Sequence, residues 1–389
     1  SSLRLMLIAF QPFDFHGWAL YPPFSTQPCL MEMTLYLDRF EPLYEIDRLR
    51  IPEPEGVRMR LQRNEKPEAW PDDLQHAIYS SMPKDLLQQY PDPTLFYQKI
   101  SALLGIPTEN MVVTSGIDEP IRSLLLLTCN PGDKIVYTPG YAMYKVYSQM
   151  FGIEPLAIDY DPTRFVGPEE IIARTPKDAK ILFIPNPSQP VENCFSLDQL
   201  REIATYCRDN DILFAIDEAY HFFGAPNAIP LTHEFDNVLV LRTFSKAFGA
   251  ASLRLGYTVG NRKALKPLAT FRLAHEANAY ALHIGCQLVD HFDTHIRKSI
   301  QGVCDGRDFL RNTLNENGVP AWGDVGNFVL IDFASKERMS KIVETLKARG
   351  VFIRGGLPAP LESRALVTCG SLELMQAFYG ELKDVMDQV

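Results

Sequence analysis

The chain has 389 residues, of which 46% are hydrophobic and 22% charged. This is an ordinary balance for a folded protein with a core large enough for two lobes. Lysine and arginine total 38 against 48 aspartates and glutamates, a formal net charge of -10, which argues against nucleic acid or an anionic membrane surface as the main partner. The cysteines (29, 129, 194, 207, 286, 304 and 369) are scattered and never spaced C-x-x-C, as suits a reducing cytoplasm with neither a disulfide framework nor a zinc site.

Residues 1–60 are rich in aromatics and proline with weak periodicity, and read as an irregular arm with a short helix. Leu3 to Phe10 is apolar but short, and no cleavage site follows it, so neither a signal peptide nor a membrane span is expected. The start at Ser1 points to trimming or a tag remnant. Phe10, Phe13, Phe15 and Trp18 pack on a larger body or border a pocket. From about 85 to 289 short apolar runs alternate with helical stretches: 111–114, 133–137, 181–184, 212–216 and 238–241, with a helix over 197–210. The runs are continuous rather than alternating, as expected of parallel strands buried on both faces. This predicts an α/β domain with a large, doubly wound, mostly parallel sheet. Residues 61–84 and 290–389 form a smaller α+β lobe, with strands near 328–331 and 366–368 and a helix over 337–349. His291 and His295 stand one helical turn apart but lack an H-E-x-x-H context, so no metal role is expected.

Polar residues gather where the strands end, which is where open α/β sheets place their ligands. Asn186 and Gln189 follow one run, Asp217 closes the next, and Lys246 follows the third, within Thr243-Phe244-Ser245-Lys246-Ala247-Phe248-Gly249. Arg254 comes shortly after. A lysine that forms an imine with an aldehyde cofactor needs a fixed, accessible, neutral amine. Gly116, Ile117 and Asp118 open a helix whose free N–H groups suit a phosphate. Thr243, Ser245 and Arg254 add hydroxyls and a bidentate cation. Tyr141 follows a Pro-Gly at a strand end and can stack on an aromatic ring.

Together these segments resemble the fold-type-I, pyridoxal-phosphate (PLP) dependent aminotransferases of class I/II, and most nearly the histidinol-phosphate aminotransferase branch. The resemblance runs from about Arg60 to the C-terminus. It implies a PLP cofactor with Lys246, Asp217 and Tyr220 as catalytic residues. Asp217 would keep the pyridine nitrogen protonated, so that the ring draws electrons from the substrate. Tyr220 would donate to the ring phenolate oxygen. Gly116, Ile117, Asp118, Tyr141, Gln189, Thr243, Ser245 and Arg254 would complete the cofactor site. Arg63 to Pro67 is similar to the family's Asn-Glu-x-Pro entry segment, which makes Asn64 a substrate-binding candidate. Tyr90 to Pro93 is similar to its Tyr-Pro segment, whose tyrosine reaches the cofactor phosphate of the neighbouring subunit, and so implies a homodimer.

Two departures stand out. The family writes Asn-Pro-x-Asn-Pro-Thr-Gly where this chain has Asn186-Pro187-Ser188-Gln189-Pro190-Val191-Glu192. Gln189 therefore falls at the position that contacts the ring oxygen. The family's Leu-Arg-x-Thr-x-Gly is here Ala365-Leu366-Val367-Thr368-Cys369-Gly370, with Leu366 where an arginine grips the substrate's acidic group. Arg364 and Arg354 are the candidates to replace it. The expected activity is amino transfer between an amino donor and a keto or aldehyde acceptor, on an atypical substrate. Decarboxylation of an amino acid or amino-acid phosphate is the alternative with the same cofactor. A non-catalytic binding or regulatory relative is the alternative without catalysis.

Overall fold

The computed structural model describes Leu43 and residues 55–160 and 164–389. Nearly all of the expected aromatic arm, including Phe10, Phe13, Phe15 and Trp18, lies outside the described residues. The remainder is organised by a seven-stranded sheet. Its strands run in the order Met111–Thr114, Gly256–Gly260, Val238–Thr243, Leu213–Asp217, Ile181–Pro185, Lys134–Tyr137, Glu154–Ala157. Gly256–Gly260 is antiparallel to both its neighbours, and the other pairings are parallel.

Successive side chains of a strand point to opposite faces, and here both faces are covered. Ile181 and Phe183 join Ile121, Leu124 and Tyr144 in one cluster. Leu182 and Ile184 join Leu200, Ile203 and Phe214 in the other. The continuous apolar runs follow from this double burial. The helix Leu197–Asp209 begins at a capping box in which Ser196 and Gln199 satisfy each other's backbone N–H groups. A buried ion pair ties adjacent strand ends together: the Arg242 guanidinium donates to Glu218 Oε2 at 2.7 Å, with both side chains almost wholly enclosed.

A second assembly holds the antiparallel strands Arg364–Thr368, Phe328–Asp332 and Ala321–Trp322. Met59–Leu61, early in the chain, pairs in parallel with Val351–Ile353 from this same region. The helices Arg297–Glu316, Lys336–Ala348 and Leu372–Met386 accompany these strands. A backbone bridge joins Arg354 to Leu366. Among the described residues no helix is long and apolar enough to cross a membrane.

Candidate active site

The parallel strands end on one edge of the large sheet, and a cavity of about 570 Å³ opens there between the two assemblies. It is bordered by Arg63 to Glu65 and Arg354 on one side, and on the other by Ile117, Asp118, Tyr141, Gln189, Asp217, Tyr220, Thr243, Ser245, Lys246 and Arg254.

One end of the cavity is built for an anion. The helix Asp118–Thr128 begins there, with Ile117 at its N-cap, so its first N–H groups have no partner within the helix. Arg254 donates to Ser245 Oγ at 3.3 Å and pairs with Asp118 at 3.0 Å. Thr243 Oγ1 donates to Ser245 Oγ at 3.0 Å. Gly116 has φ +68°, and a Cβ added there would lie 2.8 Å from Arg254 Nη2. The glycine therefore leaves open the space between backbone and guanidinium. Free N–H groups, two hydroxyls and an arginine around that space fit the phosphate of PLP. Tyr141 and Tyr147 both donate to Asp118 Oδ1, at 2.7 and 2.9 Å, which holds the Tyr141 ring at the cavity wall.

Deeper in, Asp217 closes the strand Leu213–Asp217 and is buried. Ala219 N–H donates to its Oδ1 at 3.0 Å, and the Tyr144 hydroxyl donates to its Oδ2. Tyr144 is fully enclosed and stacks on Phe183, with centroids 5.0 Å apart. Burial pushes the Asp217 carboxyl up to about 6, against the downward pull of these donors and of Lys246. A carboxylate held this way is matched to a cationic partner such as a protonated pyridine nitrogen. Lys246 Nζ donates to the Arg63 carbonyl at 3.3 Å and lies 5.7 Å from the centre of the Tyr220 ring. Burial lowers its amine to about 8; Glu65 and Asp217 pull it back up, while Arg254 and Arg354 push it further down. A neutral amine is therefore accessible near neutral pH, as attack on an aldehyde requires.

Of the expected site residues, Tyr90, Arg364 and Gly116 do not border the cavity. Gly116 shapes it from behind, as described. Arg364 opens the strand Arg364–Thr368, where its Nε donates to Asp332 Oδ2 at 3.0 Å and its guanidinium lies over Trp322. It is Thr368, at the far end of that strand, that meets Asn64 at the cavity, about 13 Å away at ~3.3 Å per residue. Arg364 is thus engaged with Asp332 and Trp322, and of the two candidates for the missing arginine it is Arg354 that borders the cavity. Leu366 is buried and pairs with Leu330. Tyr90 is 83% exposed and stacks on His275 outside the cavity. Gln189, expected at the ring oxygen, donates to the Gly140 carbonyl at 2.7 Å and accepts from Asn64 at 2.8 Å. Tyr144 carried no sequence signal beyond an apolar aromatic stretch. Its role exists only because the strand Leu213–Asp217 ends beside the helix Met143–Met150.

The comparisons agree with this geometry. The family model for class I and II aminotransferases matches residues 60–380. Histidinol-phosphate aminotransferase 1 of Trichormus variabilis is 29% identical over 338 residues, covering 86% of this chain and 94% of that protein. The histidinol-phosphate aminotransferase of Pyrococcus furiosus is 27% identical over 340 residues, covering 86% and 94%. The crystal structure of histidinol-phosphate aminotransferase from Sinorhizobium meliloti in complex with pyridoxal-5'-phosphate superposes with a TM-score of 0.80 at 21% identity, covering 91% of this chain and 99% of that one. A PLP-bound C-S lyase from Staphylococcus hominis shares the fold at a TM-score of 0.73 and 16% identity, covering 86% and 95%. A shared fold therefore does not name the reaction. The family match spans most of the chain and includes the lysine, the buried carboxylate and the anion cradle, so this protein belongs to the class I and II aminotransferases, PLP-dependent enzymes of amino transfer.

Proposed function

We propose that the enzyme moves an amino group from a donor to a keto or aldehyde acceptor, and that an acidic group on its substrate is received by Arg354. The observation that carries this is the pairing of charges in the cleft. Arg254 is engaged with Asp118 and Ser245 at the anion end. Arg364 is engaged with Asp332 outside the cleft. Arg354 borders the cavity, and among the described residues no carboxylate pairs with its guanidinium. Leu366 offers no charge at all. A substrate acid would therefore sit displaced from the place an arginine at 366 would give it.

Bound with its phosphate at Gly116, Ile117, Asp118, Thr243, Ser245 and Arg254, PLP supplies an aldehyde for the amino group and a protonated ring that draws electrons from the substrate. Asp217 would hold a proton on the ring nitrogen, and Tyr141 would pack against the ring. Lys246 Nζ would serve as the base that takes the substrate's Cα proton and as the acid that returns it. Tyr220 donates into the cleft.

The working unit in this reading is a homodimer in the cytoplasm, with residues 85–289 as the cofactor lobe and 61–84 with 290–389 as the small lobe. Leu87, Tyr90 and Leu95 are exposed, and Tyr90 and Leu95 border a second cavity of about 540 Å³, a surface suited to a second copy. The described cysteines are all free, as a reducing compartment allows. The experiment is a visible spectrum of the PLP-loaded protein as candidate amines are added, with the wild type and Arg354→Ala compared. A donor bearing an acidic group should convert the wild-type band. The variant should need about ten- to hundred-fold more of it, the equivalent of a lost charged hydrogen bond of ~1.5–3 kcal/mol. Equal titrations would remove Arg354 from recognition, and carbon dioxide in place of a keto product would move the reaction to decarboxylation.

A further inference from the structure

The hydrogen atoms around Tyr220 can be assigned by chemistry alone. The Gly140 carbonyl can only accept, so the amide group of Gln189 facing it at 2.7 Å is Nε2. Gln189 Oε1 is then turned to Asn64, at 2.8 Å, and can only accept. Asn64 must therefore present Nδ2 on that side. This matches its other end, where Asn64 Oδ1 accepts from Thr368 Oγ1 at 3.3 Å. The same Nδ2 lies 3.0 Å from the Tyr220 hydroxyl. An amide nitrogen carries two hydrogens, so one goes to Gln189 and the other to Tyr220. Tyr220 oxygen is thereby an acceptor on this side, and its own hydrogen is left to point into the cleft.

Asn64 is held for this task. It is buried, its φ is +52°, its N–H donates to Thr368 Oγ1 at 2.8 Å, and its carbonyl accepts from Asn327 Nδ2 at 3.2 Å. With both ends of its backbone tied, the amide has little freedom except rotation about its last bond. Gln189, at 2.8 Å, and the longer contact from Thr368 Oγ1, at 3.3 Å, set that rotation together.

We propose that Gln189 is a positioning residue that acts on the cofactor through Asn64 and Tyr220, fixing the Tyr220 hydroxyl as a donor toward the ring oxygen. This deepens the assignment of Tyr220 made above and rests on it. The length of the side chain matters. An asparagine at 189 is shorter by one carbon–carbon bond, about 1.5 Å, and cannot hold Gly140 and Asn64 together from the same backbone.

A hydrogen bond to the ionised ring oxygen favours ionisation, so losing it raises the pH at which the visible band of the PLP-loaded protein changes. The test is that midpoint, read by absorption without any donor, in the wild type, Gln189→Leu, Tyr220→Phe and the double variant. Gln189→Leu should raise it by about 0.5–1 pH unit, the worth of one hydrogen bond. Tyr220→Phe should raise it at least as much, and the double variant no further than Tyr220→Phe alone. Shifts that add in the double variant would show Gln189 acting on the ring oxygen directly and overturn the proposal. So would a wild-type midpoint in Gln189→Leu. Gln189→Met keeps the length of the side chain without its amide and decides the matter if the leucine variant does not fold. It should behave like Gln189→Leu, and a wild-type midpoint there also overturns the proposal.

Discussion

Asp217→Asn should stabilise the apoprotein while weakening its hold on PLP. The Asp217 carboxyl titrates near 3.9 in an unfolded chain and is pushed up to about 6 by burial in the fold. Below both values it is neutral in either state and contributes nothing. Between them the folded protein holds more proton than the unfolded one, so stability falls as pH rises through that window. A gap of about two units corresponds to ~3 kcal/mol by pH 7.5, with about half of it present at pH 5. Asparagine has the same shape and no charge. Its oxygen can take the Ala219 N–H, and its nitrogen can donate to the Tyr144 oxygen. Urea denaturation of PLP-free wild type and variant at pH 5 and 7.5 measures the difference. The variant should be more stable by up to ~3 kcal/mol at the higher pH, with the gap narrowing at the lower. PLP should bind it more weakly, since the cationic ring nitrogen loses its partner. A variant less stable than wild type at pH 7.5, or a gap that does not depend on pH, would refute the claim that a buried, ionised Asp217 strains the empty site.

Lys246 should capture PLP through its neutral amine, so the capture rate of the apoprotein should rise about tenfold per pH unit below its titration point and level off above it. The midpoint should be about 8. Arg354→Gln should move it upward, because the Arg354 charge helps to depress it; a stopped-flow midpoint near the ordinary lysine value would contradict this. If Tyr90 completes the neighbouring subunit's site, Tyr90→Ala and Lys246→Ala proteins, each impaired alone, should regain amino-transfer activity when unfolded and refolded together. Each mixed dimer then holds one intact site. Activity no greater than that of the two proteins kept apart would place the role of Tyr90 within its own chain.

The large sheet was legible because double burial writes strands as apolar runs. Val238–Thr243 and Ile181–Pro185 are buried at every residue, and their apolar runs matched the observed spans to within two residues. Glu154–Ala157 was missed because it lies at the sheet edge, half exposed, with Pro155 in it. Gly256–Gly260 was missed because two glycines and a threonine dilute its apolar signal. Lys246 and Asp217 could be picked out as candidates because a residue type of known chemistry stood at or shortly after a strand end, and Arg254 because it followed Lys246 within one motif; the structure brings all three to the cavity. What could not be read is pairing across long stretches of chain. Tyr144 serves Asp217, Arg242 meets Glu218, and Asn64 joins Gln189 to Tyr220; no local pattern encodes which of many tyrosines or amides will meet. Arg364 shows the same limit from the other side: nothing local to its segment foretold that Asp332, on the neighbouring strand, would pair with it.

The two departures from the family differ in place: Gln189 borders the cleft, while Leu366 is buried and does not. Leu366 lies in a strand paired with Leu330 and is buried in the apolar core. An arginine there would bring a charge into apolar surroundings and would need an acid to neutralise it. Leucine removes that demand, and with it one means of tying this strand to whatever the cleft holds. The rewritten segment after Ile181–Pro185 supplies ties from the chain itself. Glu192 accepts the N–H groups of Asp324 and Val325, the latter at 2.9 Å. Gln189 accepts from Asn64, which is itself bound to Thr368. Burial pushes the Glu192 carboxyl upward and the two N–H groups pull it down, so the contact stands only while both donors stay in place. Ser188 braces the loop behind them, accepting from Asn193 N–H at 2.8 Å and donating to the Val191 carbonyl at 2.7 Å. A loop fixed in this way presents Gln189 and Glu192 at set positions, and through them it is tied to Asn64, Asp324 and Val325. Arg354 borders the same cavity as Gln189 and is bridged by its backbone to Leu366, in the strand whose Thr368 holds Asn64.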